Sequence, residues 1–110
     1  MSKPDRNESD PARLFAALGD STRLALLARL GGGAQSITSL SAGSPFTRQG
    51  VTKHLRVLER AGLVRALKQG RERRFEVAPD RIDEARSYLD RVSQQWDDAL
   101  GRLKALVETD

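Results

Sequence analysis

The chain has 110 residues, no cysteine, and 19 Lys and Arg against 15 Asp and Glu, for a net charge of +4. This length fits one domain with a modest core. Without cysteine, disulfides, thiolate metal sites and redox-sensing thiols are excluded. No apolar run approaches the roughly 20 residues that span a bilayer, and the N-terminus has no signal-peptide core. We therefore expect a soluble, cytoplasmic protein with no membrane partner.

The positive charge is concentrated in the middle of the chain. Residues 44–78 hold nine Lys and Arg against three Glu, a net of +6, so the remainder sums to −2. A basic middle between acidic or near-neutral flanks is typical of a surface that contacts a polyanion. The alternative is that these charges only keep the protein in solution.

The first elements follow a polar tail. Residues 1–8 are polar and predict a disordered segment, which leaves 9–110 as the folded domain. A first helix is expected with Asp10 as its N-cap, Pro11 as its first residue and an end at Gly19.

Two further helices precede the basic region. Asp20 predicts the N-cap of the second helix, which stops at the three glycines 31–33. Its leucines point in several directions, which predicts a central helix buried on most sides; they are Leu24, Leu26, Leu27 and Leu30. Ser36 predicts the cap of a short third helix that turns Ile37 and Leu40 inward and ends at Gly43.

The stretch PFTRQGVTKHLRVLERAGLV, residues 45–64, predicts a strongly two-sided helix. Thr47 is the expected N-cap, Phe46 and Val51 have the spacing of a hydrophobic staple, and Gly62 ends the helix. At about 100° per residue, Val51, Leu55 and Leu58 form the buried face. The opposite polar face is predicted to contact DNA, through base edges and phosphates, with Thr47, Arg48, Gln49, Thr52, Lys53 and Arg56.

The period then changes to that of strands. Leu63–Lys68 and Glu72–Val77 predict a two-stranded hairpin with a turn around Gln69–Gly70. Its basic side chains are expected along phosphates or in a minor groove; they are Lys68, Arg71, Arg73 and Arg74. Because strand residues alternate, we expect Arg71 and Arg73 to contribute more than Arg74.

The last helix, from Pro79 and Asp80 to about Val107, has apolar residues spaced alternately by three and four. They are Ile82, Ala85, Leu89, Val92, Trp96, Ala99, Leu103 and Leu106. The remaining residues make too small a core to cover such a length, so a second copy of the chain is expected to cover it. The first helix is expected to join this interface with Leu14, Phe15 and Leu18. Packing wholly within one subunit is the alternative.

The only histidine, His54, lies on the helix predicted within residues 45–64. It is at the flank of that helix, between the buried face and the side that carries Gly50 and Val57. Three roles are open to it: a metal ligand, a base contact, or a structural or phosphate contact. A metal site would need partners, and the chain has no other His and no Cys. We expect no metal site and no cofactor, and we place His54 among the residues near DNA.

The order of helix, short helix, turn, helix and hairpin predicts a mainly α winged helix-turn-helix with five helices and a two-stranded wing. GDSTRLALLARL, SITSLSAGSPFTRQGVTKHLRVLERAGLV and QGRERRFEV together resemble the ArsR/SmtB family of bacterial repressors, over roughly residues 10–108. The resemblance implies a homodimer paired through its first and last helices, with its recognition helices on an inverted-repeat operator. It also implies that residues 47–49 and 52–54 lie on the recognition helix, and that Arg71, Arg73 and Arg74 lie on the wing.

The chain departs from this family in its sensor. The short helix has no cysteine and the last helix has no histidine, so neither metal site described for the family can be assembled here. We therefore expect a DNA-binding, homodimeric transcriptional regulator, most simply a repressor, whose effector is unknown. The alternative is a module that docks an acidic protein partner. An enzyme is not expected, since the single His has no evident catalytic partner.

Overall fold

The computed structural model describes residues 6–42 and 45–108, with side chains from residue 11 onward. It is mainly helical with a hairpin near its middle, as the sequence predicts, and the hairpin belongs to a three-stranded antiparallel sheet in the order β1-β3-β2. The elements are α1 (Arg6–Leu18), α2 (Ser21–Leu30), β1 (Gln35–Ser36), α3 (Ile37–Ser41), α4 (Arg48–Arg60), β2 (Val64–Gln69), β3 (Glu72–Val77) and α5 (Pro79–Glu108).

Three predicted helix starts are confirmed by their caps. The side chains of Asp20, Ser36 and Thr47 each accept a hydrogen bond from the backbone N–H three residues later, at 3.0–3.1 Å. Such caps satisfy N–H groups that have no partner within the helix. At the other end of α4, Gly62 has a φ of 76°, a conformation that favours glycine, and the helix ends as expected.

The start of the first helix differs from the prediction. Helix α1 begins at Arg6, so residues 6–8 of the expected tail are helical and Pro11 lies inside the helix. A proline at a first helical position is favourable, but it does not oblige the helix to begin there; here Pro11 is the sixth residue of α1, where it removes one backbone hydrogen bond of the helix. Residues 1–5 and the predicted end of α3 at Gly43 lie outside the described residues.

The core forms around the inner face of α4. The largest fully buried side chains come from α1, α2, α3, α4 and the residue before β2; they are Leu14, Leu26, Leu40, Val51, Leu55, Leu58 and Leu63. Phe46 is half-buried and packs against this cluster. Helix α2 was expected to be buried on most sides, but Leu24 is 50% exposed, because none of the described elements covers that side of α2.

The sheet contains a third strand that the sequence did not reveal. The short β1 pairs with β3, placing Gln35 opposite Phe75 and Ser36 opposite Arg74. Two residues are too few to show strand alternation, and Ser36 also serves as the cap of α3, which is the stronger signal. The hairpin is confirmed with β2 shifted by one residue. Its two-residue loop is Gly70–Arg71, where Gly70 has a φ of 61°.

Helix α5 is confirmed, and most of it projects from the domain. Near its start Ala85 is buried, and the ring of Tyr88 lies 5.5 Å from that of Phe15 on α1. The chain measures 70 Å along its longest axis, and its radius of gyration is 18.8 Å. A compact chain of this length would have a radius of gyration of about 13 Å. The chain therefore covers only the beginning of the apolar seam itself.

The rest of the seam leaves large apolar side chains in solvent. They are 55–73% exposed and comprise Leu89, Trp96, Leu100, Leu103, Leu106 and Val107. Val92 and Ala99 are half-buried. Within residues 6–42 and 45–108, no helix has both the length and the apolar character needed to cross a bilayer.

Candidate nucleic-acid interface

The outer face of α4 presents a group of polar side chains to solvent, and Arg60 near the end of the helix is also exposed there. Gln49, Lys53 and Arg56 are exposed, and their side chains form no hydrogen bond or ion pair with the rest of the described chain. They lie on the side of the helix opposite the buried Val51 and Leu55. Burial of one face fixes the helix, and the other face stays available to a ligand with both hydrogen-bonding and negatively charged groups.

Three more predicted residues help to hold α4 in place. The Thr47 hydroxyl caps the helix, and the Thr52 hydroxyl donates to the backbone carbonyl of Arg48 at 2.8 Å. Arg48 Nη1 donates to Thr38 Oγ1 at 2.7 Å, which ties α4 to the preceding short helix. Both threonine hydroxyls and the remaining guanidinium N–H groups of Arg48 keep further hydrogen-bonding capacity.

His54 lies away from this outer face, contrary to its placement among the DNA-contacting residues. Its Nδ1 is 3.5 Å from Nη1 of Arg23 and 4.0 Å from Oδ1 of Asp20, both at the start of α2. The physical reason is its flank position, because α2 packs against that side of α4. Of the three alternatives, the geometry supports the structural or phosphate contact, and a contact of His54 with DNA stays a prediction.

Arg23 is a residue whose role the sequence analysis missed. Its Nε donates to the carbonyl of Ala17 at 2.6 Å, and its Nη2 donates to that of Ala16 at 3.1 Å. These carbonyls belong to the last turn of α1, where a cation is favourable. With its contact to His54, Arg23 joins α1, α2 and α4. The spacing of Asp20 and Arg23 in the DSTRL segment was the available signal.

The Asp20 carboxylate is stabilised in its charged form. Its pKa is lowered, first because it accepts the hydrogen bond from the backbone N–H of Arg23, and further by the positive charge of the Arg23 side chain and by His54. The carboxylate thus both caps α2 and holds the Arg23 guanidinium, whose Nη1 lies 4.0 Å away.

The basic residues of the hairpin divide between the two faces of the sheet. Lys68 lies directly opposite Arg73 in the strand register, and both line an open concavity of about 500 Å³ together with Arg71. The Arg73 guanidinium also lies 5.8 Å from the centre of the Phe75 ring. Three cations therefore share one surface at the tip of the hairpin, with Glu72 at its edge.

Arg74 lies on the other face of the hairpin. Its Nε is 4.0 Å from Oε2 of Glu72 and is buried without a hydrogen-bond partner in the described chain. At the base of the hairpin, Arg65 is paired with Glu76 at 2.5 Å. The uncompensated positive charge of the hairpin is thus at its tip, and the lower contribution of Arg74 to DNA binding stays a prediction.

The predicted dimer residues of α1 are only partly available to a partner. Leu14 is 2% exposed and belongs to the core of its own chain, so its assignment to the interface is wrong. Leu14 and Ala17, three residues apart, share the inner side of the helix. Phe15 and Leu18 are half-buried. No cluster of three His, Asp or Glu suited to a metal ion occurs in the part of the chain that the structure describes.

Known proteins share this arrangement. Residues 18–66, which contain α2, α3 and α4, match a family described as a helix-turn-helix domain. The HTH-type transcriptional regulator Rv2034 of Mycobacterium tuberculosis is 33% identical over 100 residues, covering 91% of each chain. The structure of an ArsR-like transcriptional regulator from Rhodococcus sp. RHA1 superposes with a TM-score of 0.85 and 36% identity, covering 94% of this chain and 98% of that one.

A more distant structure shares the fold. It is the solution structure of a homodimeric winged helix-turn-helix DNA-binding domain from Mycobacterium bovis, with a TM-score of 0.66 and 20% identity, covering 86% of this chain and 91% of that one. The regulator relatives agree with the expectation that the chain is not an enzyme. From this level of identity over nearly its whole length, the chain belongs to the ArsR family of DNA-binding, winged helix-turn-helix transcriptional regulators.

Proposed function

We propose that the chain is a homodimeric repressor that reads an inverted-repeat operator with α4 in the major groove. The observation that carries this proposal is the outer face of α4, where Gln49, Lys53 and Arg56 are exposed and unpaired within the described chain. The major groove of B-DNA admits one α-helix, and the buried inner face of α4 leaves this outer face to enter it.

Each exposed side chain has a suitable partner in DNA. Lys53 donates to guanine O6 and N7, and Gln49 pairs with adenine N6 and N7. Arg48 reads bases with the guanidinium N–H groups that its bond to Thr38 leaves over. Arg56 lies two turns into the helix and contacts phosphate, while the N-terminus of α4, with Thr47 and Thr52, binds the backbone at the groove edge.

The tip of the hairpin supplies the second contact to each half-site. Lys68, Arg71 and Arg73 share one surface, where they neutralise phosphates or enter the adjacent minor groove. These contacts contribute to affinity for any DNA sequence, whereas the contacts of α4 with base edges determine which sequence is bound. The concentration of free charge at the tip supports this division.

The second copy of the chain covers the exposed seam of α5. Apolar side chains such as Trp96, Leu100 and Leu103 are more than half exposed in one chain, and monomeric proteins rarely leave so large a continuous patch in water. The homodimeric domain from Mycobacterium bovis has the same fold. A two-fold dimer presents two reading helices in inverted orientation, which is why an inverted repeat is its operator. Repression follows from occlusion of the promoter.

Footprinting of the purified protein on the DNA upstream of its own gene tests the proposal. We expect protection of an inverted repeat, and log K that falls with log salt with a slope of about −4 to −5, since about four to six phosphates are neutralised per dimer. Gln49→Ala and Lys53→Ala should abolish the footprint at protein concentrations where Arg102→Ala, an exposed substitution on α5, leaves it intact. Uniform, sequence-independent protection or a flat salt response would favour the protein-docking alternative.

A further inference from the structure

An open groove of about 770 Å³ lies where α1, α2 and the C-terminal end of α4 meet. Its apolar lining consists of small side chains, namely Ala16, Ala17, Val57 and Ala61. Small residues on adjoining helices leave the space unfilled, and the groove is large enough for a small organic molecule. It is separate from the projecting seam of α5 and from the hairpin tip.

The polar lining of this groove is entirely cationic. Three arginines complete it, and no acidic residue lines it among the side chains that the structure describes. Arg13 and Arg60 are exposed at its rim, and their side chains have no ion-pair partner in the described chain. The Arg23 side chain is mostly buried, being 17% exposed. Guanidinium groups bind carboxylates in a two-pronged geometry, so the groove is complementary to an anion with an apolar body.

The groove is also connected to the reading helix. Arg23 holds the last carbonyls of α1 and lies 3.5 Å from His54, which is on α4 between the buried face and the groove residue Val57. An anion that recruits Arg23 competes with these contacts. The position of α1 relative to α4 then changes. The reading helix α4 consequently shifts relative to α1 and α5, the helices predicted to form the dimer.

We propose that this groove is an effector site for a small amphipathic organic anion, most simply a monocarboxylate, and that its occupation lowers operator affinity. The binding half of this proposal stands on the groove alone, whereas the regulatory half rests on the proposed function. Two features argue against a phosphate of the operator as the occupant. The lining is largely apolar, and although Arg60 shares the exposed face of Gln49, Lys53 and Arg56, the lining residues Val57 and Ala61 lie beyond that face.

The binding half is tested with octanoate and benzoate, titrated by calorimetry into the full chain without DNA. We expect saturable binding with one site per chain, and no comparable binding of octanol, which has the tail without the charge. The double variant Arg13→Gln plus Arg60→Gln should bind octanoate about tenfold more weakly or worse, since it loses charge-assisted hydrogen bonds. Arg102→Gln removes one guanidinium charge from an exposed site on α5 and should bind octanoate as the wild type does.

The regulatory half is tested by fluorescence anisotropy of a labelled operator with and without octanoate. Release of DNA from the wild type, and its loss in Arg13→Gln plus Arg60→Gln, is the expected result. Failure of both carboxylates to bind, or equal binding by the double variant, overturns the site. Carboxylate binding by a chain that recognises no operator would leave the site standing and reject the proposed function. Carboxylate binding without DNA release would overturn the effector role.

Discussion

Helices α4 and α5 are both two-sided, but they use their apolar faces in opposite ways. In α4 the apolar residues Val51, Leu55 and Leu58 are fully buried in their own chain, and the polar face meets solvent. In α5 only Ala85 is buried, and the large side chains of the apolar line, from Leu89 onward, are more than half exposed, apart from the half-buried Val92. A pattern of apolar residues thus predicts that a face will be covered, without saying by which chain.

The difference separates two kinds of surface. A helix whose apolar face is buried within its own chain can present its polar face to DNA without a cost in stability. A helix that leaves its apolar face exposed depends on another molecule, here proposed to be a second copy. Substitutions on the two inner faces should therefore change different quantities, namely the stability of the chain for α4 and its association for α5.

The largest effect is expected on the inner face of α4. Leu55→Ala should lower the free energy of unfolding by about 2–5 kcal/mol, since it opens a cavity in the core. Leu103→Ala on α5, measured at concentrations where the chain is monomeric, should change it by less than about 0.5 kcal/mol. Urea denaturation followed by circular dichroism measures both. Equal losses would show that α5 packs on its own chain after all.

The next effect is expected on the seam of α5. Leu103→Asp should yield monomers in light scattering and weaken operator binding about 100-fold, because an unpaired carboxylate in an apolar interface costs about 2–3 kcal/mol. The only tryptophan, Trp96, reports the same event, since its emission should shift to longer wavelength when the seam opens. Leu103→Met keeps the apolar surface and should remain dimeric. A dimeric Leu103→Asp would place the interface elsewhere.

On the outer face of α4, Lys53→Ala should weaken operator binding about tenfold or more, as expected for a base contact worth about 1–3 kcal/mol. Its free energy of unfolding should stay within about 0.5 kcal/mol of the wild type, because the side chain is exposed and unpaired in the described chain. Anisotropy titrations and urea denaturation give the two numbers. Loss of stability with unchanged affinity would assign the face a structural role.

The hairpin should show a smaller and sequence-independent effect. Arg71→Ala should weaken binding to all DNA sequences alike and reduce the salt slope by about two units, since the proposed dimer carries two copies of the residue. Arg74→Ala, on the other face of the hairpin and beside Glu72, should change the slope less. Titrations over a range of salt concentrations distinguish them. A larger change for Arg74→Ala would mean that the opposite face of the wing meets the DNA.

The smallest effect is expected behind the reading helix, at Asp20. Its pKa is lowered in the folded chain, so its charge stabilises the fold above the unfolded pKa of about 3.9, and this is lost as pH falls through the lower folded value. Asp20→Asn keeps a capping oxygen without the charge. Its melting temperature should lie below that of the wild type near neutral pH, and the two should converge in strong acid. A difference in melting temperature that persists unchanged into strong acid would show that the charge of Asp20 is not its source.

Sequence reasoning succeeded where one residue carries a local signal. Three helix starts were predicted from capping residues whose side chains accept a backbone hydrogen bond, namely Asp20, Ser36 and Thr47. The end of α4 was predicted from Gly62, which has the positive φ that favours glycine. The two faces of α4 followed from periodicity alone. These features depend on a few neighbouring residues, which a sequence displays directly.

Sequence reasoning failed where burial, strand pairing or the role of a side chain depends on residues distant in the sequence. Leu14 and Leu24 belong to apolar patterns, but only the packing of α1 and α2 decides that the first is buried and the second is half exposed. The strand β1 exists because β3 pairs with it. Arg23 reads as an ordinary surface cation until the end of α1 is placed beside it.

The position of Arg23 has a consequence for genetics. The Arg23 side chain donates hydrogen bonds to the last carbonyls of α1 and also contacts His54 on α4. A selection for derepressed mutants should therefore recover substitutions of Arg23 alongside those of Lys53 and Gln49, although Arg23 lies on the far side of the reading helix from the operator. Such alleles would identify the contacts through which α1 and α2 fix the position of α4. Suppressors of them should arise at residues where these helices contact one another, and they should leave the recognised bases unchanged.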